Sequence, residues 1–156
     1  MTGSSSLAAA AILVVDDEVQ VLSFIMELLQ MQGYDVDGTW DPDEALRLAR
    51  THPVPLHLLL TDLVMPVMTG PELAREISRI HPAMKVLFMS AYSVEAAQDY
   101  EVWLAPGEPF LSKPFSIATL AQTVRAALNY EPPHGWSRRV GSVAAQCRGS
   151  RRRDDA

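Results

Sequence analysis

The stretch AILVVDDE at residues 11–18 decides the fold. Five apolar residues in a row, Ala11–Val15, predict a strand that is buried on both faces, as the strands of parallel sheets are. Two acidic residues, Asp16 and Asp17, follow this strand directly. Ligands of open parallel sheets bind beyond the carboxyl ends of the strands. The stretch therefore predicts an α/β domain with an acidic site at that edge of its sheet.

Strands and helices alternate along the chain after this stretch. The first helix carries an apolar stripe at spacings i, i+3, i+4 and i+7, and Gly33 is placed to end it. Further strands are predicted over residues 34–38, 56–61, 84–89 and 109–112. Further helices are predicted to begin at Asp41, Thr69 and Ser116, with a weaker one over 94–100. Five such alternations predict a parallel sheet with helices on both faces, joined by right-handed crossovers.

Composition separates three parts of the chain: a flexible lead-in over 1–10, one domain over 11–130 and a disordered, Arg-rich tail over 131–156. Residues 1–130 carry 7 basic and 16 acidic side chains, a balance of −9. The tail carries 6 Arg against 3 acidic residues, a balance of +3. An acidic body does not favour nucleic-acid binding. We therefore expect the basic tail to be solvated, although a direct contact with DNA or RNA stays open as an alternative.

The single cysteine and the apolar segments bound the cellular setting. Cys147 is alone in the chain, so neither an internal disulfide nor a thiolate zinc site is possible, which suits the reducing cytoplasm. The apolar run at 7–15 is preceded by no basic residue and is followed by acids, which does not fit a signal peptide. No run approaches the roughly 18 apolar residues of a membrane span. We expect a cytoplasmic protein without membrane insertion.

Three carboxylates are predicted to meet at the carboxyl edge of the sheet. Asp16 and Asp17 follow the first strand, and Asp62 follows the third. Packing such groups together without a cation is costly, because like charges raise each other's pKa. Mg²⁺ prefers a few carboxylates, a carbonyl and retained waters. A magnesium site is therefore predicted here. If Asp16 and Asp17 are considered without Asp62, the alternative is that they only cap a helix or lie solvated in a loop.

Two further polar residues fall at strand ends. Lys113 follows the fifth predicted strand and is one of only two lysines in the chain. At that edge its ammonium can pair with Asp62 or with a phosphoryl oxygen. Ser90 follows the fourth predicted strand, where its hydroxyl either begins a turn or donates to such an oxygen.

Four short motifs together resemble a family. The segments ILVVDDE at 12–18, TDLVMP at 61–66, MSA at 89–91 and KPF at 113–115 strongly resemble the receiver domains of response regulators in two-component signalling. The resemblance covers roughly residues 10–130, with the motifs in the family's order and spacing. It implies a flavodoxin-like (βα)5 fold, a doubly wound parallel sheet of strand order 2-1-3-4-5.

The resemblance assigns roles to the site residues. It implies that Asp62 is the phosphoacceptor and that Asp17 ligates Mg²⁺ directly, while Asp16 acts mostly through water. It further implies that the backbone carbonyl of Val64 is a metal ligand. Residues at the next two strand ends, Ser90 and Lys113, are implied to hold the phosphoryl oxygens.

The resemblance also implies residues that switch the domain and residues that tune the lifetime of its phosphorylated state. Phe110 occupies the position of the family's aromatic switch, where many members carry Tyr. Phe offers no hydroxyl for readout but can still swing inward together with Ser90. Val64 and Tyr92 lie two residues beyond Asp62 and Ser90. They are expected to flank the approach of a hydrolytic water and so to tune the lifetime of the phosphorylated state.

The implied function is signalling rather than enzymatic turnover. A histidine kinase or phosphotransfer protein is expected to donate the phosphoryl group, and the domain assists its own phosphorylation and dephosphorylation. Residues 104–115 add a similarity to the receivers of hybrid sensor histidine kinases. We expect no DNA-binding output domain in this chain, because too few residues follow residue 129, so either a stand-alone receiver or a piece of a larger kinase or regulator fits. Receivers often dimerise on phosphorylation, and that stays open here.

Rival functions lack a required residue. A haloacid-dehalogenase-like phosphatase needs a second Asp two residues after its nucleophile, where this chain has Val64. A P-loop enzyme needs a Gly-Lys-Ser/Thr loop, which is missing. A flavodoxin-like cofactor binder needs a phosphate-cradling loop after its first strand, where acids would repel phosphate. A receiver-like interaction module that had lost phosphorylation would lack site residues that are all present here.

Overall fold

The computed structural model describes residues 9–91 and 108–131. The strands are β1 (Ala11–Val15), β2 (Asp35–Thr39), β3 (Leu58–Asp62), β4 (Lys85–Ser90) and β5 (Leu111–Ser112). The helices of the described ranges are α1 (Val19–Met31), α2 (Pro42–Thr51), α3 (Gly70–Ile80) and α4 (Ile117–Asn129). Most of the predicted lead-in, the predicted helix at 94–100 and the tail from 132 onwards lie outside the described residues.

All five strands form one parallel sheet of order β2-β1-β3-β4-β5, which confirms the predicted fold class. The register aligns the carboxyl ends of the strands. Val15 pairs with Thr39 on one side and with Thr61 on the other. Asp62 pairs with Met89, and Ser90 pairs with Ser112. Residues that follow these strands therefore emerge along one edge, which we call the carboxyl edge.

The sheet buries apolar side chains on both faces. Leu13, Leu59 and Phe88 point to the face covered by α2 and α3, and alternate residues point to the face covered by α1 and α4. Every residue of β1 is buried, as the unbroken apolar run predicts. Burial of one such side chain stabilises the fold by about 1.5–3 kcal/mol. The two layers fix the strands, and the strands fix the site at their ends.

Local signals in the sequence define the helix ends. Asp41 Oδ1 accepts a hydrogen bond from the Asp43 amide at 3.1 Å at the start of α2. Thr69 forms the predicted capping box with Glu72 at the start of α3, and Ser116 caps α4. Gly33 follows α1 with φ of +94°, a left-handed conformation that favours glycine at this position.

Strand bounds depend on tertiary pairing and differ from the prediction by one or two residues. β2 begins at Asp35 because its register is set by β1, where Asp35 pairs with Ala11. β3 begins at Leu58 rather than at Leu56, because the Leu56 amide donates to His81 Nδ1 instead of joining the ladder. Among the described residues, no helix is long and apolar enough to cross a membrane.

Candidate functional site at the carboxyl edge

Three carboxylates lie together where β1 and β3 end. Asp16 is fully buried, Asp62 is 8% exposed and Asp17 is open to solvent. One carboxylate oxygen from each of the three lies within 4.8 Å of the other two. The sheet brings them together because β1 and β3 are neighbouring parallel strands whose ends coincide. The predicted convergence of these residues is thus observed.

Asp16 is held from two sides. Its Oδ1 accepts a hydrogen bond from the Glu18 amide at 2.9 Å, and its Oδ2 accepts one from Lys113 Nζ at 2.8 Å. Both carboxylate oxygens are therefore engaged inside the protein. A buried charge is tolerated only when it is paired and hydrogen-bonded in this way.

Lys113 is the cation of the site. Its amide donates to the Ser90 carbonyl at 2.8 Å, which fixes the chain after β5 against the end of β4, and its peptide bond to Pro114 is cis. The ammonium lies 2.8 Å from Asp16 Oδ2 and 3.3 Å from Asp62 Oδ2. It also lies 3.3 Å from Glu18 Oε1, although the Glu18 side chain is 62% exposed. One ammonium thus bonds three carboxylates.

The backbone at Asp62 is fixed by close packing. The Thr61 hydroxyl donates to the Asp62 carbonyl oxygen at 3.0 Å. Gly70, the first residue of α3, lies so close that an added Cβ would be 2.4 Å from the same oxygen. The Gly70 amide donates to the Leu63 carbonyl at 2.9 Å. Gly70 is required here by the close approach of two backbone segments, and this contact positions Asp62.

Burial and like charges shift the acidity of the buried acids. Burial raises the pKa of Asp62 to about 6, and the nearby charges of Asp16 and Asp17 add to the rise, while Lys113 opposes it. Burial also raises the pKa of Asp16, against the hydrogen bonds from Lys113 and the Glu18 amide. Burial alone would lower the pKa of Lys113, but its carboxylate partners outweigh that effect and raise it. Lys113 therefore stays charged, while Asp62 is a weaker acid than an ordinary aspartate.

The donor set fits a hard divalent cation. Three carboxylates crowd one site, and a single ammonium offsets only part of their charge. Oxygen ligands on a partly solvated site are what Mg²⁺ prefers, since it retains several waters. The exposed position of Asp17 leaves one side of the site open to such waters. The raised pKa of Asp62 shows that its negative charge is unfavourable in this buried position, and a bound cation would stabilise that charge.

The other predicted site residues end or follow a strand, precede β5 or lie outside the described ranges. Ser90 ends β4 and is buried, at 2% exposure. Val64 and Phe110 are half-buried and pack against the cluster beneath α2 and α3. Tyr92 lies outside the described residues.

Two residues of the site had no role in the sequence analysis. Glu18 belongs to the quoted acidic run, but its contact with Lys113 joins positions 95 residues apart, and no local pattern indicates it. Gly70 lies inside the predicted capping box, which explains Thr69 and Glu72 without it. The run of three acids before a helix was the available signal for Glu18.

Known proteins share this arrangement of elements. The family described as response regulator receiver domain matches residues 12–125. Sensor kinase CckA of Brucella abortus (strain 2308) is 36% identical over 121 residues, which cover 77% of this chain and 13% of the kinase. The receiver protein CpdR of the same organism is 32% identical over 124 residues, which cover 75% of this chain and 95% of CpdR.

A solved structure agrees with these matches. The crystal structure of the receiver domain from the hybrid histidine kinase CckA superposes with a TM-score of 0.63 at 33% identity. The match covers 77% of this chain and all of that domain. The chain therefore spans a small part of one relative and nearly the whole of another.

Proposed function

Because this chain belongs to the response regulator receiver domain family, we propose that Asp62 accepts a phosphoryl group from a phosphohistidine. The donor would be a histidine kinase or a phosphotransfer protein, the phosphoryl sources that receiver domains use. The observation that carries the proposal is the site itself: a buried carboxylate at a strand end, 3.3 Å from the half-buried ammonium of Lys113 and beside two more carboxylates. The domain is a phosphoacceptor of signalling rather than an enzyme with a turnover of its own.

In the proposed step a carboxylate oxygen of Asp62 attacks the phosphorus in line with the phosphorus–nitrogen bond of the donor. That bond breaks, the imidazole nitrogen keeps its electron pair, and an aspartyl phosphate forms. Lys113 donates to a phosphoryl oxygen from its position 3.3 Å from Asp62 Oδ2. Ser90, at the neighbouring strand end, donates to another. The protein contributes mainly position and charge neutralisation, as in other phosphoryl transfers.

Asp16, Asp17 and Asp62 would hold Mg²⁺, with the Val64 carbonyl as a further ligand. When bound, the cation neutralises charge that develops on the transferring oxygens. Asp17 would ligate it directly and Asp16 mostly through water, which agrees with the full engagement of both Asp16 oxygens by the protein.

Phosphorylation of intact protein by acetyl phosphate tests the proposal. Wild type and Asp62→Asn are incubated with and without Mg²⁺ and followed by intact mass. We expect one phosphate adduct on wild type incubated with Mg²⁺. We expect none on wild type without Mg²⁺ and none on Asp62→Asn. An adduct that persists in Asp62→Asn would contradict the assignment of Asp62. Absence of an adduct together with absence of Mg²⁺ binding would favour an interaction module that is not phosphorylated.

Hydrolysis of the aspartyl phosphate would reset the domain. Val64 and Tyr92, two residues beyond Asp62 and Ser90, are proposed to flank the approaching water and set the lifetime. We expect Val64→Asn and Tyr92→Ala to change the half-life of the phosphorylated protein, measured after removal of the donor. Equal half-lives in wild type and both variants would refute this role.

Phosphorylation is proposed to change a protein-binding surface. Ser90 would move toward the phosphoryl group, and Phe110, half-buried beside β5, would fill the vacated space. Two such states can differ in affinity for a downstream protein or for a second copy of the domain. Ser90→Ala is expected to uncouple phosphorylation from this change, seen as loss of a phosphorylation-dependent shift in size-exclusion chromatography or partner affinity. A shift that survives in Ser90→Ala would argue against the switch.

The setting of the domain follows from the same proposal. We propose that residues 11–130 form the receiver and 131–156 a disordered tail, and that the domain acts in the cytoplasm. Similarity to a receiver within a kinase and to one that is nearly a whole protein supports both a stand-alone regulator and a part of a larger one. Limited proteolysis decides the boundary: a resistant fragment that ends near residue 130 is expected, and protection through residue 156 would overturn it.

A further inference from the structure

We propose that the Glu18 carboxylate competes with the incoming phosphoryl group for Lys113 and thereby slows phosphorylation. The inference rests on the proposed function and concerns the regulation of the same site. Lys113 has three N–H donors, and three carboxylate oxygens accept from it, at 2.8 Å from Asp16 and at 3.3 Å from Asp62 and Glu18.

The three acceptors differ in how easily they release the lysine. Asp16 is fully buried and bonded through both oxygens, so its contact with Lys113 is fixed. Asp62 is the reacting group, and it stays beside Lys113 while its carboxylate attacks the phosphorus. Glu18 lies at the rim, with 62% of its side chain exposed. Glu18 is thus the partner that an incoming phosphoryl oxygen would displace.

The start of helix α1 does not account for Glu18. Glu18 is the N-cap residue of α1, a position where Ser, Thr, Asp and Asn are preferred, and its carboxylate makes no capping hydrogen bond. Its amide is satisfied by Asp16 Oδ1 instead. The Glu18 carboxylate is directed to Lys113, which makes it part of the site and not of the helix end.

The rim leaves room for release. Glu18 and Lys113 both line a cavity of about 460 Å³, whose other walls include Phe24 and Phe115. Because this cavity opens to solvent, a released Glu18 carboxylate regains water at little cost. Ion pairs with an exposed partner are weak, so the competition can be overcome in each cycle.

Substitutions at Glu18 test whether the lysine contact matters beyond the charge. The measured quantity is the second-order rate constant of phosphorylation by acetyl phosphate at saturating Mg²⁺ and low ionic strength. Glu18→Ala removes contact and charge, while Glu18→Asp keeps the charge but shortens the side chain by one methylene, which weakens the 3.3 Å contact with Lys113. Asp43→Ala is the matched control, since it removes one exposed acidic charge at the start of α2, on the same edge of the sheet.

We expect Glu18→Ala to raise the rate constant about two- to fivefold and Glu18→Asp to raise it by a smaller factor, with Asp43→Ala unchanged. The gain should shrink in high salt, which a packing effect would not do. A Glu18→Asp rate equal to wild type would overturn the proposal, since the charge alone would then explain the gain. So would an unchanged or lower rate in Glu18→Ala. An absent adduct on wild type would instead contradict the proposed function, so the two failures are distinguishable.

Discussion

Polar side chains have different roles at the two edges of the sheet. At the carboxyl edge, three carboxylates bond one ammonium and a fourth, that of Asp17, lies beside them. Burial and like charge raise the pKa of Asp62 to about 6. At the opposite, amino edge, the imidazoles of His57 and His81 form hydrogen bonds with backbone groups. In the first arrangement, buried like charges lie close together, which is unfavourable, and a bound ligand can relieve that repulsion. The second only satisfies groups that would otherwise be unpaired, and so contributes stability.

His81 is the clearest case at the amino edge. It follows α3, and its Nδ1 accepts from the Leu56 amide at 3.2 Å. With Nδ1 as acceptor, Nε2 carries the proton and donates to the Ala49 carbonyl at 2.8 Å, one of the last carbonyls of α2. His57 acts similarly, since its Nδ1 accepts from the Ala11 amide at 2.9 Å. These contacts join four segments of chain: β1, residues 56–57, the end of α2 and the residue that follows α3.

The largest expected effect comes from Gly70→Ala. The new Cβ would lie 2.4 Å from the Asp62 carbonyl oxygen, so two backbone segments must separate. We expect a loss of about 2–3 kcal/mol in the free energy of unfolding, by overpacking, together with strongly reduced phosphorylation of Asp62. Urea unfolding and intact mass measure the two effects. Gly38→Ala is the control, since its close neighbour is the flexible end of Met26, and it should retain phosphorylation. Normal phosphorylation in Gly70→Ala would show that this contact does not position Asp62.

A smaller effect is expected from His81→Ala at the amino edge. Its two backbone partners lose their hydrogen bonds near buried Leu56 and Ala49, which we expect to cost about 1–2 kcal/mol. Arg79→Ala, an exposed residue of α3, should stay within about 0.5 kcal/mol of wild type in the same urea titration. If the two variants unfold at the same urea concentration, the stabilising role of this imidazole is wrong.

The smallest effect, of opposite sign, is expected from Asp62→Asn in metal-free protein. The folded-state pKa of about 6 lies above the ordinary value of 3.8, so the folded protein binds the Asp62 proton more tightly than the unfolded chain does. Stability from this group is therefore lost as pH rises from about 4 to about 6. Asn carries no charge and avoids this loss. We expect Asp62→Asn to be about 1 kcal/mol more stable at pH 7, which allows for solvent screening at the site.

The pH dependence provides the check on that prediction. At pH 4 the gain of Asp62→Asn should largely vanish, because the wild-type carboxyl is then protonated in the folded state. Thermal melts in a chelating buffer at pH 4 and pH 7 measure it. A stabilisation of equal size at both pH values would mean that packing, and not charge, causes the difference.

Prediction from sequence succeeded where the signal was local. The apolar run defined β1 to the residue, and the caps at Asp41, Thr69 and Ser116 marked the starts of three helices. It was less accurate for strand bounds, because a strand ends where its neighbour stops pairing. The strand order came from resemblance to a family rather than from periodicity. Roles that depend on chemistry, such as those of Ser90 and Phe110, remain predictions.

The sequence by itself determined where the described strands and helices lie, to within one or two residues at the strand ends, and which acids end the strands, since apolar periodicity and capping act over a few residues. Only the tertiary structure decided which side chains meet. Lys113 reaches Asp16 across 97 residues, and Gly70 approaches the Asp62 carbonyl through the packing of α3 on β3. Both contacts depend on strand order and register, which set distances to a fraction of an ångström. Local sequence patterns carry no information on such distances, whereas the packed sheet fixes them.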